Sequence, residues 1–322
     1  MGAYIVRRLF ISIPVLFGIT VIAFILLKNT PGDPLLAMMD PEVLARLNPD
    51  AIAEERHRFG LDQPILVQYA TWLFNVLHGD FGYSIVSKRT VVYEIVPRIP
   101  QTLFLMTTAF SVAAVVGILF GIVSAVRQYS KADYSLNALA VFLASTPPFV
   151  LGLSFIYIFA VRFHWLPTGG LHTIGHTDLA DAFVHLILPA SVLAAVNAAQ
   201  LTRYTRASML DVLTSEYITT ARSKGLSSRI VIIRHALRNS LIPIITLLAL
   251  LIPDAIGGAI ITEQVFNWDG MGRLAVSAAN TRDPSLMMGI VLIAGLAVLS
   301  ANLLADLLYA FTDPRIRLER AK

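Results

Sequence analysis

The sequence predicts an all-α membrane protein: six transmembrane helices, a sizeable outer segment after the first of them, and one long basic loop on the inner side. Three observations lead there. First, 56% of the 322 residues are hydrophobic and 14% charged, with a mean hydropathy of +0.69, whereas a soluble chain carries roughly 25% charged residues. Second, six stretches are long and apolar enough for a bilayer core that takes roughly 20 residues of helix to cross: Leu9–Leu27, Leu103–Val126, Leu136–Val161, Phe183–Leu201, Leu241–Ile261 and Leu286–Tyr309. Third, the loops alternate in charge. Arg7 and Arg8, then Arg127 and Lys131, then the central stretch, then Arg315, Arg317, Arg320 and Lys322 fall on one side. The positive-inside rule puts that side, with both termini, in the cytoplasm.

The net charge of +4 does not point to nucleic acid, because the basic residues flank membrane segments and form no stripe with interleaved aromatics. The chain has no cysteine, which excludes disulfides and thiolate metal sites. The expected organisation is a first helix over 1–28, an extracytoplasmic segment over 29–100, a five-helix core over 101–310 containing the loop 203–240, and a cytoplasmic tail over 311–322.

Arg7 and Arg8 before the first span resemble a signal peptide, but Leu26-Leu27-Lys28-Asn29 has no small-x-small cleavage site, so a retained anchor is expected. In the outer segment acids outnumber bases, turns are expected at Pro31-Gly32-Asp33-Pro34 and near Pro49, and Gln63–Leu77 reads as an amphipathic helix closing at Gly79. Trp72, Phe74 and Phe81 suggest packing on the outer membrane surface, with a structural cap over the helices as one reading of the segment.

Gly117 and Gly121 in the second span are one turn apart, which lets another helix approach closely. In the third span Pro147-Pro148 removes two backbone donors within the membrane, so the bend must face protein or a wet cavity. Pro189, Pro243 and Pro253 repeat that pattern. Asn197 and Gln200 are polar enough to line a path and equally able to tie helices together. Asp254 is an intramembrane carboxylate, by default a functional candidate. It would meet a positively charged group of a solute, pair across a subunit contact, or stay a structural acid. Asp306 reads as a helix-boundary or subunit-contact residue. His164, His172, His176 and His185 cluster around one outer loop, but Gly169-Gly170 and Gly175 make it a poor helix, and no metal site is expected.

The stretch Arg203–Pro243 is too long for a mere connector. Seven basic residues stand against Asp211 and Glu216. Ser208 with Asp211 has capping-box spacing. Met209, Val212, Leu213, Tyr217 and Thr220 recur at helical spacing, Gly225 suits the left-handed turn that closes a helix, and Ser227 can cap the next. Ile230, Ile233 and Leu237 lie on one side of that next helix. The pattern is helix, glycine corner, helix; arginines meeting lipid phosphates are the alternative explanation of its charge.

The run Glu216-Tyr217-Ile218-Thr219-Thr220-Ala221-Arg222-Ser223-Lys224-Gly225-Leu226, with Arg234-His235-Ala236-Leu237-Arg238-Asn239 and Ile242-Pro243, resembles the cytoplasmic "EAA" loop of bacterial ABC-importer permeases, and most of all their dipeptide, oligopeptide and nickel branch. Where the general pattern has Glu-Ala-Ala, this chain has Thr219-Thr220-Ala221, and the interval from Gly225 to Pro243 is longer than the commonest form; both departures are habits of the peptide branch. Phe59-Gly60-Leu61-Asp62-Gln63-Pro64, Gly79–Ser84, Thr146–Phe149, Trp165-Leu166-Pro167, Glu263 through Phe266, Trp268 and Gly270 to Leu274, and Asp313–Arg317 are similar to that branch too.

The resemblance implies an ABC type I importer-like fold with a coupling-helix loop. Glu216, Tyr217, Thr220, Ala221, Arg222, Ser223, Lys224, Gly225 and Leu226 would couple to ATPase subunits, and Pro147, Pro148, Asn197, Gln200 and Asp254 would belong to the translocation path. The implied partners are a second homologous permease, two ATP-binding subunits, an extracytoplasmic solute-binding protein and membrane lipid, in a prokaryotic inner membrane.

No lysine of the chain ends a G-x-x-x-x-G-K-[ST] run, so the chain has no phosphate loop of that kind, and no cofactor is expected on it; ATP and Mg would sit on partner subunits. No catalytic arrangement is visible, so the chain reads as a permease and not an enzyme. The alternatives are a gradient-driven secondary transporter, which would favour embedded acid or histidine relays, and a nickel-type permease of the same branch.

Overall fold

The computed structural model describes residues 2–29, 49–58, 62–176 and 178–312, and within helices it leaves some side chains undescribed, those of residues 252–258 among them. The turns expected at Pro31–Pro34, the run Phe59–Leu61, the tail from Asp313 and the side chains of Pro253 and Asp254 therefore lie outside the described residues. Every described element is helical, and the one β-contact is an isolated antiparallel bridge between Tyr83 and Thr90. The chain divides into two compact units, residues 1–100 with 273–299, and residues 101–272 with 300–322.

In the first unit, α1 (Gly2–Asn29) is apolar around most of its surface, with Phe10, Ile13, Ile22 and Leu26 all exposed. After α2 (Pro49–Arg58), α3 (Ile65–Leu77) confirms the helix expected to close at Gly79. Gly79 takes φ +86°, and the bonds from Gly79 N to Val76 O (2.9 Å) and from Asp80 N to Asn75 O (2.9 Å) satisfy the last carbonyls. α3 lies along α1: Tyr69 packs edge-on against Phe17 and Phe24, and its hydroxyl is 2.8 Å from that of Thr20. The short α4 (Val91–Ile95) is capped by Thr90.

The second unit holds most of the helical bundle. α5 (Arg98–Val126) leads through a tight corner to α6 (Lys131–Ser145). The third span, expected over Leu136–Val161 with a bend at Pro147-Pro148, is α6 followed, at a bend of 106°, by α7 (Pro148–Phe155) and a π-helical run Ile156–Arg162. The prolines thus sit between helices and leave no gap inside one. Thr146 N bonds to Phe142 O to end α6, and Pro148 occupies the first position of α7, where a missing N–H costs nothing.

α8 runs from Leu179 to Leu213, three turns past the Leu201 end expected for the fourth span. Leu201, Thr202, Thr205 and Met209 are buried at helical spacing, and that continued packing carries the helix through Arg203 and Arg206. Ser208 is consequently mid-helix and caps nothing; its hydroxyl donates to Ser240 O at 3.2 Å. Pro189 lies inside α8 and is buried.

After α9 (Glu216–Ser223), a single helical path runs from α10 (Ser228–Ile230) through a π-helical segment Val231–Leu237 into α11 (Arg238–Val265). The second arm of the basic loop is therefore continuous with the expected fifth span. Past the end of α11, Asn267 takes φ +51°, Trp268 N bonds to Glu263 O at 2.8 Å, and the chain turns into the core. α12 (Met271–Asn280) and α13 (Pro284–Thr312) follow, belonging over 273–299 to the first unit, and the carboxylate of Asp283 caps α13 at Leu286 N (3.0 Å).

The predicted close approach at Gly117 and Gly121 is present. A β-carbon on Gly117 would lie 2.5 Å from Leu201 Cβ, and one on Gly121 would lie 2.4 Å from Thr205 Cβ and 2.8 Å from Thr202 O. α5 and α8 thus meet nearly backbone to backbone, the contact that small residues permit where lipid gives no hydrophobic drive to associate. Among the described residues, four helices are long and apolar enough to cross a membrane, or five with the bent pair taken as one span.

Candidate functional site

The basic stretch folds into an elbow. α8 breaks at Thr214 and Ser215, and α9 begins with Glu216 in its first turn and carries Arg222 in its last, charges that both suit the helix dipole. Its C-terminus closes through Gly225 at φ +76°, as expected. Leu226 N reaches Ala221 O (3.4 Å) and Gly225 N reaches Arg222 O (2.9 Å), the paired bonds of a left-handed glycine cap. Ser227 occupies the N-cap position of α10 with extended backbone but gives no side-chain capping bond.

The elbow is seated by one apolar cluster. Ile218 and Ala221 of α9 pack with Val231 and Ala236 of the second arm, Met209 of α8 and Ala125 at the end of α5. The face expected to run from Met209 to Tyr217 and Thr220 therefore shifts after the break at Thr214: Met209 is buried, Tyr217 and Thr220 are exposed, and Ile218 and Ala221 take the inward positions. Three polar contacts brace the arms. Asn239 Nδ2 donates to Tyr217 Oη (3.0 Å), Ser240 Oγ donates to Met209 Sδ (3.0 Å), and Ser208 reaches Ser240 O.

Of the nine residues read as the docking surface, Ala221 alone is buried. Glu216, Tyr217, Thr220, Arg222, Ser223, Lys224, Gly225 and Leu226 are exposed together on the outward face of α9 and its corner. The adjoining π-helical segment Val231–Leu237 is a rare geometry that concentrates at functional sites.

The residues expected to line a path are scattered by comparison. Pro147 is exposed and Pro148 half-buried at the α6–α7 corner. Asn197, half-buried, donates to Leu193 O of its own helix at 2.8 Å, and Gln200 is exposed. Asp254 lies on α11 with its side chain outside the described residues. In the histidine loop, His172 and His185 both approach Asp181, at 3.4 and 3.8 Å, and His185 also contacts Gly169 O. Among the described residues no group of three or more His, Asp or Glu side chains could hold a metal ion.

One cluster escaped the sequence reading. Asp133, in the first turn of α6, is buried and receives Arg206 of α8 at both oxygens, Nε to Oδ1 at 2.8 Å and an Nη nitrogen to Oδ2 at 2.9 Å. Ser124 of α5 and Asn137 of α6 also donate to Oδ1, and Tyr129 N donates to Oδ2 at 3.0 Å. Arg206 had counted only as one of many loop cations. The available signal was an aspartate at one end of an apolar span, where an unpaired carboxylate would be costly.

A second buried carboxylate lies within the Glu263–Leu274 motif. Glu263 is fully buried and accepts from Thr102 Oγ1 at 2.6 Å, while Thr102 accepts from Met271 N at 2.8 Å. Gly270 makes room: a β-carbon there would sit 2.2 Å from Glu263 Oε1. Trp268, also buried, donates from its indole to Gln101 O at 3.1 Å.

Comparison with known proteins fits this architecture. The chain is 45% identical over 318 residues to the oligopeptide transport system permease protein AppB of Bacillus subtilis, covering 98% of this chain and 99% of that one. It is 43% identical over 321 residues to a putative peptide permease of Brucella ovis (98% and 99%) and 39% identical over 314 residues to the glutathione transport system permease protein GsiC of Escherichia coli K12 (98% of each). In three dimensions it is similar to a chain from inward-facing conformations of the MetNI methionine ABC transporter, with TM-score 0.57 at 14% identity, covering 69% of this chain and 97% of that one. That likeness concerns the fold. Residues 1–106 match the N-terminal family described as a binding-protein-dependent transport system membrane component, and residues 117–318 match the inner-membrane component itself. With its apolar helices, this protein is a multi-pass membrane permease and belongs to the family of binding-protein-dependent transport system inner membrane components.

Proposed function

We propose that this permease is one transmembrane subunit of an ATP-driven importer for di- and oligopeptides, and that the exposed face of its elbow docks a separate ATP-hydrolysing subunit. The observation that carries the docking is the two-sidedness of α9: Ile218 and Ala221 seat it, while Thr220, Arg222, Lys224 and Leu226 are left outward. That surface is basic, small and rigidly held, as a lever's contact must be. Since the chain has no phosphate loop, ATP and Mg belong to the two partner ATPases.

Peptide cargo is supported by the relatives, whose names specify oligopeptides, peptides and glutathione, itself a tripeptide. A second, similar permease supplies the other half of the path, and a solute-binding protein delivers cargo to the outer segment over 29–100. The topology has six spans, α11 included, with both termini cytoplasmic. That orientation rests on the arginine and lysine distribution, and the exposed apolar side chains of α1 face lipid. Pro147, Pro148, Asn197, Gln200 and Asp254 belong to the path in this reading.

The test uses the reconstituted complex with an Arg222→Glu/Lys224→Glu permease. Insertion and permease pairing stay intact, and cargo-stimulated ATP hydrolysis falls about tenfold or more, the equivalent of about 1.4 kcal/mol of docking energy. Unchanged stimulation removes the docking assignment. Uptake of a labelled tripeptide that unlabelled di- and tripeptides fail to compete away removes the peptide-class assignment.

A further inference from the structure

We infer that Asp133 and Arg206 are positioning residues that join the docking elbow to the corner of the translocation path, so that α5, α6 and α8 move as one lever. The inference rests on the docking reading above.

Arg206 stands on the part of α8 that leads into the elbow, eight residues before the break at Thr214, or about 12 Å at 1.5 Å per residue. Asp133 stands in the first turn of α6, and α6 runs without interruption to the Pro147-Pro148 corner. The ion pair is the charged link between these helices at that level, and it is directional. Both carboxylate oxygens meet guanidinium nitrogens, a paired geometry that resists rotation as well as separation.

The clasp extends to the third helix. Ser124 of α5 donates to the same carboxylate, and Asn137 donates both to Asp133 Oδ1 (2.6 Å) and to Ser124 Oγ (3.0 Å). One helical turn earlier, Gly121 brings α5 against Thr205 and Thr202 of α8. One residue later, Ala125 enters the apolar cluster that seats Ile218 and Ala221 of the elbow. A push on α9 therefore reaches α5 through Ala125 and α8 through the chain itself, and it reaches α6 through Asp133. Asp133 is buried, so a relative slide of α6 would strand its charge away from water, and the rigid displacement is the cheaper response.

The experiment measures cargo taken up per ATP hydrolysed in the assembled complex, with Asp133→Asn, Arg206→Lys and Ser124→Ala permeases. Arg206→Lys keeps the charge and loses the two-pronged geometry; Ser124→Ala removes one donor and leaves the ion pair. We expect cargo-stimulated hydrolysis to persist while uptake per ATP drops at least about fivefold in the first two variants, the lower end of typical coupling between sites. Ser124→Ala shifts it less in the same direction, and the Asp133→Asn/Arg206→Lys double variant is no worse than the worse single one. A purely structural role lowers the yield of complex and leaves uptake per ATP unchanged in what assembles, which overturns the inference. The elbow variant Arg222→Glu/Lys224→Glu separates the two claims. If it alone is impaired, the clasp falls and docking stands; if it behaves normally while the clasp variants uncouple, docking falls, and with it the clasp's role as a link to a docked elbow.

Discussion

Thr102 and Glu263, 161 residues apart in the chain, meet through a 2.6 Å hydrogen bond that the threonine hydroxyl donates to the buried carboxyl group. The same hydroxyl accepts from Met271 N, so one small side chain ties the start of α5 to the end of α11 and to the turn that follows it.

Replacing Thr102 with valine keeps the shape and leaves Glu263 short of that donor and Met271 N short of its acceptor. The expected cost is about 1–3 kcal/mol, read as a lowered Tm of the detergent-solubilised complex. Thr102→Ser restores most of the loss. Equal stability of the threonine and valine proteins would show that the bond contributes nothing net.

The α5–α8 seam separates a steric effect from a polar one. Gly121→Ala pushes a methyl group to within 2.4 Å of Thr205 Cβ and 2.8 Å of Thr202 O, and overpacking of this kind costs about 1–3 kcal/mol. Thr205 is fully buried, and its hydroxyl has no hydrogen-bond partner among the described residues. Thr205→Val therefore leaves stability unchanged or raises it, because it removes a buried hydroxyl that gains nothing. Thermal unfolding of both variants checks the opposite signs.

Adjacent residues on α9 should fail differently. Ala221 is buried against the second arm, so Ala221→Arg unseats the elbow and lowers the amount of assembled permease. Thr220 is exposed, so Thr220→Arg leaves assembly intact and reduces cargo-stimulated ATP hydrolysis. Size-exclusion yield and hydrolysis rate, measured on both, distinguish the outcomes.

In the first unit, His57 Nδ1 lies 2.7 Å from Asp62 Oδ2. The hydrogen bond to that carboxylate, followed by its charge, raises the imidazole pKa above the ordinary 6.5; the same bond lowers Asp62 below its ordinary 3.8. The histidine's contribution is thus full below pH 6.5 and is lost as pH rises through its raised value. The aspartate's is present above 3.8 and is lost as pH falls through its depressed value. An NMR titration of His57 should show a midpoint above 6.5 that Asp62→Asn brings back down. A midpoint unmoved by that substitution would separate the two groups in solution.

The sequence by itself determined whatever depends on neighbours along the chain. Helices over the apolar stretches, the end of α3 at Gly79, the corner at Gly225 and the small-residue face at Gly117 and Gly121 were all legible, since a helix in lipid must satisfy its backbone internally and a left-handed residue favours glycine. Which residues of α9 face outward was not legible, because the face expected to continue from Met209 through Tyr217 and Thr220 shifts at the break at Thr214. Tertiary structure alone decided that α8 continues to Leu213, because Thr205 and Met209 found a surface to bury against; local propensity is indifferent there. It also chose the mates of the buried acids, Arg206 for Asp133 at 73 residues' separation and Thr102 for Glu263. A charge in the sequence states that a partner is required, and which partner it meets depends on how the helices lie side by side, a relation that no local pattern encodes.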